Sequence, residues 1–398
     1  MANPLGLLQA LAASARREGA LLLRRPWDLA FISWVPLLGV ALVWWIFSAG
    51  QPRALPIGVL DADHSSISRQ LTRFLAATPG LQVAQQFNST AEAEAALRTA
   101  QVYGVVLIPR DLARDLKQGR AATVTLLHNA QLGTHSSLIQ RDVRSAVGTL
   151  SAGIEMSART KRGEPAHSVR VAMEPLRADL ITLFNASTDY EQFLAAALIP
   201  ALLHILAMGA GAWMVGRELR DRSLADWLGP HAAWPQVAGA LLGKLLWPWL
   251  GLGGVALLAL CGMTWGRGWH PAGSVLWTGV ALAVFMALSI ALGAWVAALT
   301  RSLRTALSAT GFVTAPAFAF GGVGFPLLAM PWGAQAWARA LPYTHYIRVQ
   351  MEQLQMGAPL AYSLRTPVVM LLVTVLLLAA TALALRKAAL QPASWGKR

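Results

Sequence analysis

Apolar residues in this chain collect into six long runs: Leu29 to Phe47, Phe193 to Val215, Val237 to Met263, Val275 to Leu299, Ala306 to Phe325 and Pro367 to Leu385. Each approaches or exceeds the roughly 20 residues a helix needs to cross about 30 Å of hydrocarbon. The runs lack the alternation of a barrel strand, and backbone groups in lipid must be satisfied within their own segment, so the runs predict helices. One polar insert, Arg53 to Asp189, separates the first run from the other five. The pattern predicts an α-helical polytopic membrane protein with six transmembrane helices and an inserted α/β extracytoplasmic domain. The expected divisions are an N-terminal cytoplasmic or interfacial amphipathic helix over 1–27, a first span over 28–48, the insert over 49–190, five further spans over 191–386, and a cytoplasmic tail over 387–398.

Within the insert the period shortens. Pro56 to Leu60, Leu81 to Phe87, Val102 to Ile108 and Thr123 to Leu127 read as strands, and the third, continuously apolar and bounded by Pro109, reads as the buried central one. Ser65-Ser66 and Ser89-Thr90 are helix caps, followed by an apolar face at Ile67, Leu71, Phe74 and Leu75 and by Ala91 to Ala100. A further helix is expected over Asp111 to Gln118. The βαβαβαβ order favours an α/β sandwich with a partly parallel sheet. Gln131 to Arg162 looks helical, with Leu138, Val143, Val147, Leu150 and Ile154 as its stripe, and Val169 to Met173 reads as a returning strand. Ahead of the first span, Leu7, Leu8, Leu11 and Leu21 to Leu23 alternate with Arg16-Arg17 and Arg24-Arg25, the pattern of an interfacial helix whose arginines face head groups. The alternative is a leader without structure. The first span is longer than the 7–15 residues usual for a signal-peptide core, which favours retention as an anchor over cleavage.

Composition agrees with the membrane reading. The chain is 55% hydrophobic and only 13% charged over 398 residues, against roughly a quarter charged in an ordinary soluble domain. A net charge of +14 raises nucleic acid as a partner until its location is considered. The insert holds 15 Lys/Arg and 12 Asp/Glu, a balance of only +3. In a six-span topology, fourteen of the remaining cations (Arg16 to Arg25, Arg217 to Lys244, Arg301 and Arg304, Arg386 onward) fall on one side, against Arg267, Arg339, Arg348 and Arg365 on the other. That asymmetry is the positive-inside signal: it predicts cytoplasmic termini and an exported insert, and argues against nucleic acid. Cys261, the single cysteine, lies within a span, so neither an internal disulfide framework nor a thiolate metal site is expected.

Few residues carry chemistry of their own. Gly239-Ala240-Leu241-Leu242-Gly243-Lys244 resembles a phosphate loop but is one residue short between its glycines and lacks the Ser/Thr. No nucleotide-binding motif is found elsewhere, so energy for active transport has to come from another polypeptide or an ion gradient. His204 lies inside a span, where an ionisable residue is a functional candidate by default, although a histidine hydrogen-bonded to a neighbouring helix is the simpler reading. Asp61 and Asp63 read as turn and capping groups in preference to a metal pair, and His128, His135 and His167 are scattered. The charged loop Gly216 to Leu228 sets Leu219, Leu224, Trp227 and Leu228 on one face and its charges on another, predicting a short amphipathic helix able to dock on a soluble partner or on anionic lipid. Between the last two runs, Pro326 to Thr366 places prolines and aromatics at interfacial depth, as in a segment dipping into the outer leaflet.

These features together resemble ABC-2 type transporter permeases, in the branch with one span, a large extracytoplasmic domain and five more spans. The resemblance is carried by Val59 to Arg69, by Tyr103 to Leu112, by Gly216 to Leu224, and above all by Phe320-Gly321-Gly322-Val323-Gly324-Phe325-Pro326, Met330-Pro331 and Leu341-Pro342-Tyr343-Thr344-His345. Arg222-Ser223 stands where the family has a Gly-Thr-like end to its coupling helix, and Phe184-Asn185-Ala186 where it has Tyr-Asn-Pro. The resemblance implies a half-transporter that exports drugs, lipids or polymers, without catalytic residues or a metal of its own. ATP and Mg would be bound by partner ABC ATPase subunits and not by this chain. It implies a coupling helix over 216–229, with Arg217, Glu218, Leu219, Arg220, Asp221, Arg222, Leu224 and Trp227 as ATPase-coupling residues. It implies an outer re-entrant segment over 326–366, with Phe320, Phe325, Pro326, Pro331, Pro342 and His345 along the translocation path or outer gate. A second permease copy is implied, and branch members often work with a periplasmic adaptor and outer-membrane channel; the location implied is the bacterial inner membrane. A non-transporting anchor presenting an envelope-binding α/β domain is the competing reading, which five clustered spans disfavour. A membrane-embedded enzyme or a proton-coupled carrier would need polar clusters or ionisable relays in the spans that the sequence lacks.

Overall fold

The computed structural model describes residues 4–131, 133–161, 183–185, 188–229, 233–391 and 395. The chain divides into two compact units, Met1–Gly50 with Thr182–Arg398, and Gln51–Ile181. The expected strand over Val169 to Met173 lies outside the described residues.

The chain enters through three helices, α1 (Pro4–Arg24), α2 (Pro26–Ile32) and α3 (Trp34–Phe47). Arg25, with φ −121° and ψ 83°, breaks the first from the second, and Pro26 then starts α2 where its missing N–H costs nothing.

The inserted unit is β1 (Leu55–Asp61), α4 (Ser66–Ala77), β2 (Leu81–Gln86), α5 (Thr90–Arg98), β3 (Gly104–Ile108), α6 (Leu112–Lys117), β4 (Thr125–His128) and α7 (Gly133–Lys161). The sheet order is β2-β1-β3-β4, parallel across its first three strands and antiparallel at β4. The connection from β1 to β2 moves one way across the sheet and that from β2 to β3 the other. Right-handed crossovers therefore put α4 and α5 on opposite faces. The two cores reflect this: Leu71, Leu75 and the α7 stripe pack on Ile57, Val59 and Val106, whereas Ala93 and Ala96 of α5 pack on Phe87 and Val105. Ser65 caps α4 by accepting from the N–H of Ile67 and Ser68, and Ser89 caps α5 by accepting from Glu92. Asp61 accepts from the N–H groups of Asp63 and His64, while Asp63 accepts from Ala113 at the start of α6. Both carboxylates are thereby engaged in turn and cap.

In the other unit the chain continues through α8 (Ala196–Arg220), α9 (Leu224–Leu228), α10 (Trp234–Cys261), α11 (Val275–Thr300), α12 (Leu303–Thr314), α13 (Ala317–Phe320), α14 (Trp332–Ala340), α15 (Pro342–Gln350), α16 (Leu360–Ser363) and α17 (Arg365–Ala389). Short π-helical turns at Glu191–Ala195, Gly262–Gly266 and Met351–Gln355 extend α8, α10 and α15. They are laced together: Arg267 forks onto Glu191 at 2.6 and 2.7 Å, and Gln355 donates to the Gln192 carbonyl at 2.8 Å.

Five helices among the described residues are long and apolar enough to cross a membrane: Pro26–Phe47, Glu191–Arg220, Trp234–Gly266, Val275–Thr300 and Leu360–Ala389. The fifth expected span, Ala306 to Phe325, is not a continuous helix. It breaks at Ala315-Pro316 and ends in turns after Phe320, because Pro316 cannot continue the α12 ladder. The helices around it nevertheless fix its direction. Arg301, at the C-terminal end of α11, donates to Gln391 beyond the C-terminal end of α17 at 2.9 Å. At the opposite end, Ser274 and Ala272 before α11 bond Gln353 and Leu354, and Gln353 bonds Ser363 just before α17. α11 and α17 are thus parallel, and the chain between Arg301 and Gln353 runs the full length of the bundle.

The bundle centre is α8 against α11. They meet at Gly211 and Gly293: a Cβ on the first would strike the Ile290 carbonyl, and one on the second the Met208 carbonyl. Small residues let the backbones approach this closely, which is how helices associate where lipid removes the hydrophobic incentive. About two thirds of the apolar stretch of each is buried, against about a quarter for the first and last spans.

Candidate functional site

The C-terminal end of α8 is built as a tight stop. The N–H of Asp221 bonds the Arg217 carbonyl at 2.9 Å, that of Ser223 reaches back to Glu218 at 3.0 Å, and Arg222 between them is left-handed with φ 57°. Glycine is the usual occupant of such a position. The turn delivers the chain into α9, which buries Leu224, Trp227 and Leu228 and leaves Asp226 exposed, then ends at Gly229 with φ 81°.

Under this turn lies a buried cluster of ions. Lys244 of α10 is fully buried and donates to Glu18 at 2.6 Å and to Glu218 at 2.7 Å. Arg217 bonds Glu18 and, at 2.7 Å, Asp28. Arg17 forks onto Glu218 at 2.8 and 3.1 Å, and the Ser223 hydroxyl donates to the same carboxylate. The Lys244 ammonium also stands 4.8 Å from the centre of the Trp227 ring, whose N–H donates to Ser14 at 2.9 Å. Three cations thus meet three carboxylates drawn from α1, α2, α8 and α10. Such burial is tolerated because each charge is paired; an isolated one would cost several kcal/mol. For Arg17, partial burial works against the charge, but the Glu218 carboxylate prevails and raises its pKa above the ordinary value. Arg220, which donates to Asp221 at 2.7 and 3.2 Å, holds that carboxyl below the usual range.

Of the residues expected to couple to a partner, Arg217, Glu218, Leu219, Leu224 and Trp227 turn inward, and Arg220, Asp221 and Arg222 are exposed. The inward set is joined by Glu18 and Lys244, which sequence reasoning missed. Gly239 and Gly243, whose spacing mimics a phosphate loop, serve helix contact instead: Cβ atoms there would strike the carbonyls of Leu7 and Leu11 on α1. The small-xxx-small spacing was the available signal. The N-terminal helix therefore keeps Arg16 and Arg24 outward but seats one face on α10. With its π turn, α10 spans 33 residues, roughly 50 Å at 1.5 Å per residue. About 20 Å stands outside a 30 Å hydrocarbon layer, enough to carry the helix start as far as Lys244.

The residues expected at the far end do not converge on one place. Phe325, Pro326, Pro331 and His345 are exposed, Phe320 is half-buried, and Pro342 is buried as the first residue of α15. His345 shares a 2.8 Å hydrogen bond with the Arg339 carbonyl. Their neighbours Tyr343, Thr344, Tyr346 and Gln350 are buried polar groups. Pro200 lies inside α8 and cannot donate to the Ala196 carbonyl, while its ring crowds the turn before it. Gln350 donates to Ala196 at 2.7 Å and Tyr343 to Ala197 at 2.9 Å. Tyr346 holds Gln350 at 2.9 Å and stacks on Phe285 with 4.8 Å between rings. His204 follows in the same column, tilted on Phe285 at 5.3 Å and 2.8 Å from Ser289 of α11. The Ser289 hydroxyl donates to Phe285, so His204 Nδ1 carries the proton between them.

A family model described as ABC-2 family transporter protein matches residues 26–384. No curated protein matches the chain.

Proposed function

The chain belongs to the ABC-2 family of transporter proteins and is a membrane permease component of an ABC transporter, and from this premise we propose that it exports a hydrophobic or amphipathic substrate, such as a drug or lipid, using ATP hydrolysed by separate ABC ATPase subunits. An ABC ATPase partner follows from the family; the contact surface is our reading. Arg220, Asp221, Arg222 and Asp226 form the docking face, and the inward residues Arg217, Glu218, Leu224 and Trp227 pass its movement on. The single observation that carries this reading is the ion cluster, which joins the exposed turn to α1, α2, α8 and α10 at once. A push on the turn reaches three spans and the N-terminal helix without crossing a flexible link.

The topology we propose has six crossings, the fifth being the broken segment from Leu303 onward. The parallel course of α11 and α17 supports it, since an intervening return is needed. With the arginine-rich turns at the cytoplasmic face of an inner membrane, the inserted α/β unit is extracytoplasmic. Two copies would enclose the substrate path, with Phe320 to His345 near its outer end; a periplasmic adaptor and outer-membrane channel are compatible extensions.

Reconstitution with the cognate ATPase tests the coupling assignment. Arg220→Glu with Arg222→Glu should abolish permease-dependent ATP hydrolysis and export, while Arg339→Glu, on the opposite side, should leave both intact. Undiminished coupling in the first variant would remove the turn from the mechanism.

A further inference from the structure

At the break between α1 and α2 the charge balance fails on one side only. The nearby acids are already engaged: Asp28 with Arg217, Asp221 with Arg220, and Glu18 and Glu218 within the ion cluster. Arg24 and Arg25 are exposed, and no carboxylate among the described residues bonds either. Arg25 is near enough to Asp221 to lower its pKa further, and Arg222 beside it is also exposed. The same bend exposes two large apolar side chains, Leu23 at 80% and Trp27 at 78%. Its height is set independently, because the apolar stretch able to span a bilayer begins at Pro26. Two unpaired guanidinium groups thus stand at head-group depth, flanked by apolar side chains able to lie against acyl chains.

We propose that this elbow is a binding site for an anionic phospholipid of the cytoplasmic leaflet, with Arg24 and Arg25 on the head-group phosphate and Leu23 and Trp27 against the chain. The inference stands on burial, pairing and depth; it takes the cytoplasmic side from the topology proposed above and does not require the transport reading. An acidic surface on a protein partner would satisfy the charges but would leave Leu23 and Trp27 facing lipid without a role.

Native mass spectrometry of the delipidated full chain, titrated with phosphatidylglycerol or phosphatidylcholine, tests it. The wild type should retain phosphatidylglycerol preferentially. Arg24→Gln with Arg25→Gln should weaken that retention about 25-fold, each cation near an anionic lipid surface being worth roughly a factor of five. Arg24→Lys with Arg25→Lys should keep most of it, which separates charge loss from misfolding, and Arg339→Gln should match wild type. Millimolar inorganic phosphate should not displace the lipid, since it offers nothing to Leu23 and Trp27. Equal retention of the two lipids by wild type, undiminished phosphatidylglycerol binding by the glutamine variant, or displacement by phosphate would each overturn the proposal. So would a glutamine variant that keeps its lipid but loses a co-purifying protein.

Discussion

Replacing Lys244 with methionine keeps most of the side-chain volume and deletes one charge from the centre of the cluster. Lys244 is 0% exposed and bridges Glu18 and Glu218. Its loss leaves three carboxylates facing two cations. Breaking a buried pair by removing one partner costs about 3–5 kcal/mol, chiefly because the survivor is left uncompensated. At roughly 2 °C per kcal/mol for a unit of this size, the melting temperature of the detergent-purified chain should fall by about 6–10 °C. Glu18→Gln alone should cost a similar amount, leaving three cations facing two carboxylates. The two together restore neutrality: Arg17 keeps Glu218 and Arg217 keeps Asp28. The double variant should therefore be clearly more stable than the sum of the single losses, with a coupling of about 1–3 kcal/mol. Thermal scans of the four proteins by intrinsic fluorescence measure all the terms. Strict additivity, or a Lys244→Met shift under 1 °C, would refute the claim that these charges act as one balanced unit.

Other outcomes follow from local geometry. Gly211→Ala should cost about 1–3 kcal/mol in thermal stability by driving a methyl into the Ile290 carbonyl; Gly293→Ala should do the same, and the pair should lose less than the sum because one separation of α8 and α11 serves both. Arg222→Gly should stabilise the chain by about 0.5–1 kcal/mol, read as a rise of 1–2 °C, by relieving a left-handed residue. Gln350→Leu should cost about 1–3 kcal/mol by stranding the Ala196 carbonyl; the penalty should shrink in a Pro200→Ala background, where the helix supplies its own donor, and an unchanged penalty there would reject the proline account.

The inserted unit was legible in the sequence almost element by element, because its signals are local. Ser65 and Ser89 announce their helices, and the Gly104–Ile108 strand is apolar throughout since both its faces are covered. Hydropathy likewise located the five long apolar helices, but an average over Ala306 to Phe325 hides the break that Pro316 makes. The ion cluster was out of reach. Its pairs join residues some 200 positions apart, as Arg17 to Glu218 and Glu18 to Lys244 do, and a lysine in a greasy run carries no mark of its partner. Similarly, Gln350 gains its meaning only once Pro200 has freed the Ala196 carbonyl on another helix.

The cluster also divides its charge between parts of the chain made at different times. Arg17, Glu18 and Asp28 carry a net charge of −1, and Arg217, Glu218 and Lys244 a net charge of +1. The N-terminal half leaves the ribosome nearly two hundred residues ahead of the other, so its surplus negative charge has no partner in the cluster until then. The hairpin that begins with α8 carries the complementary surplus of positive charge. Only when the two fragments close on each other does the cluster become electroneutral.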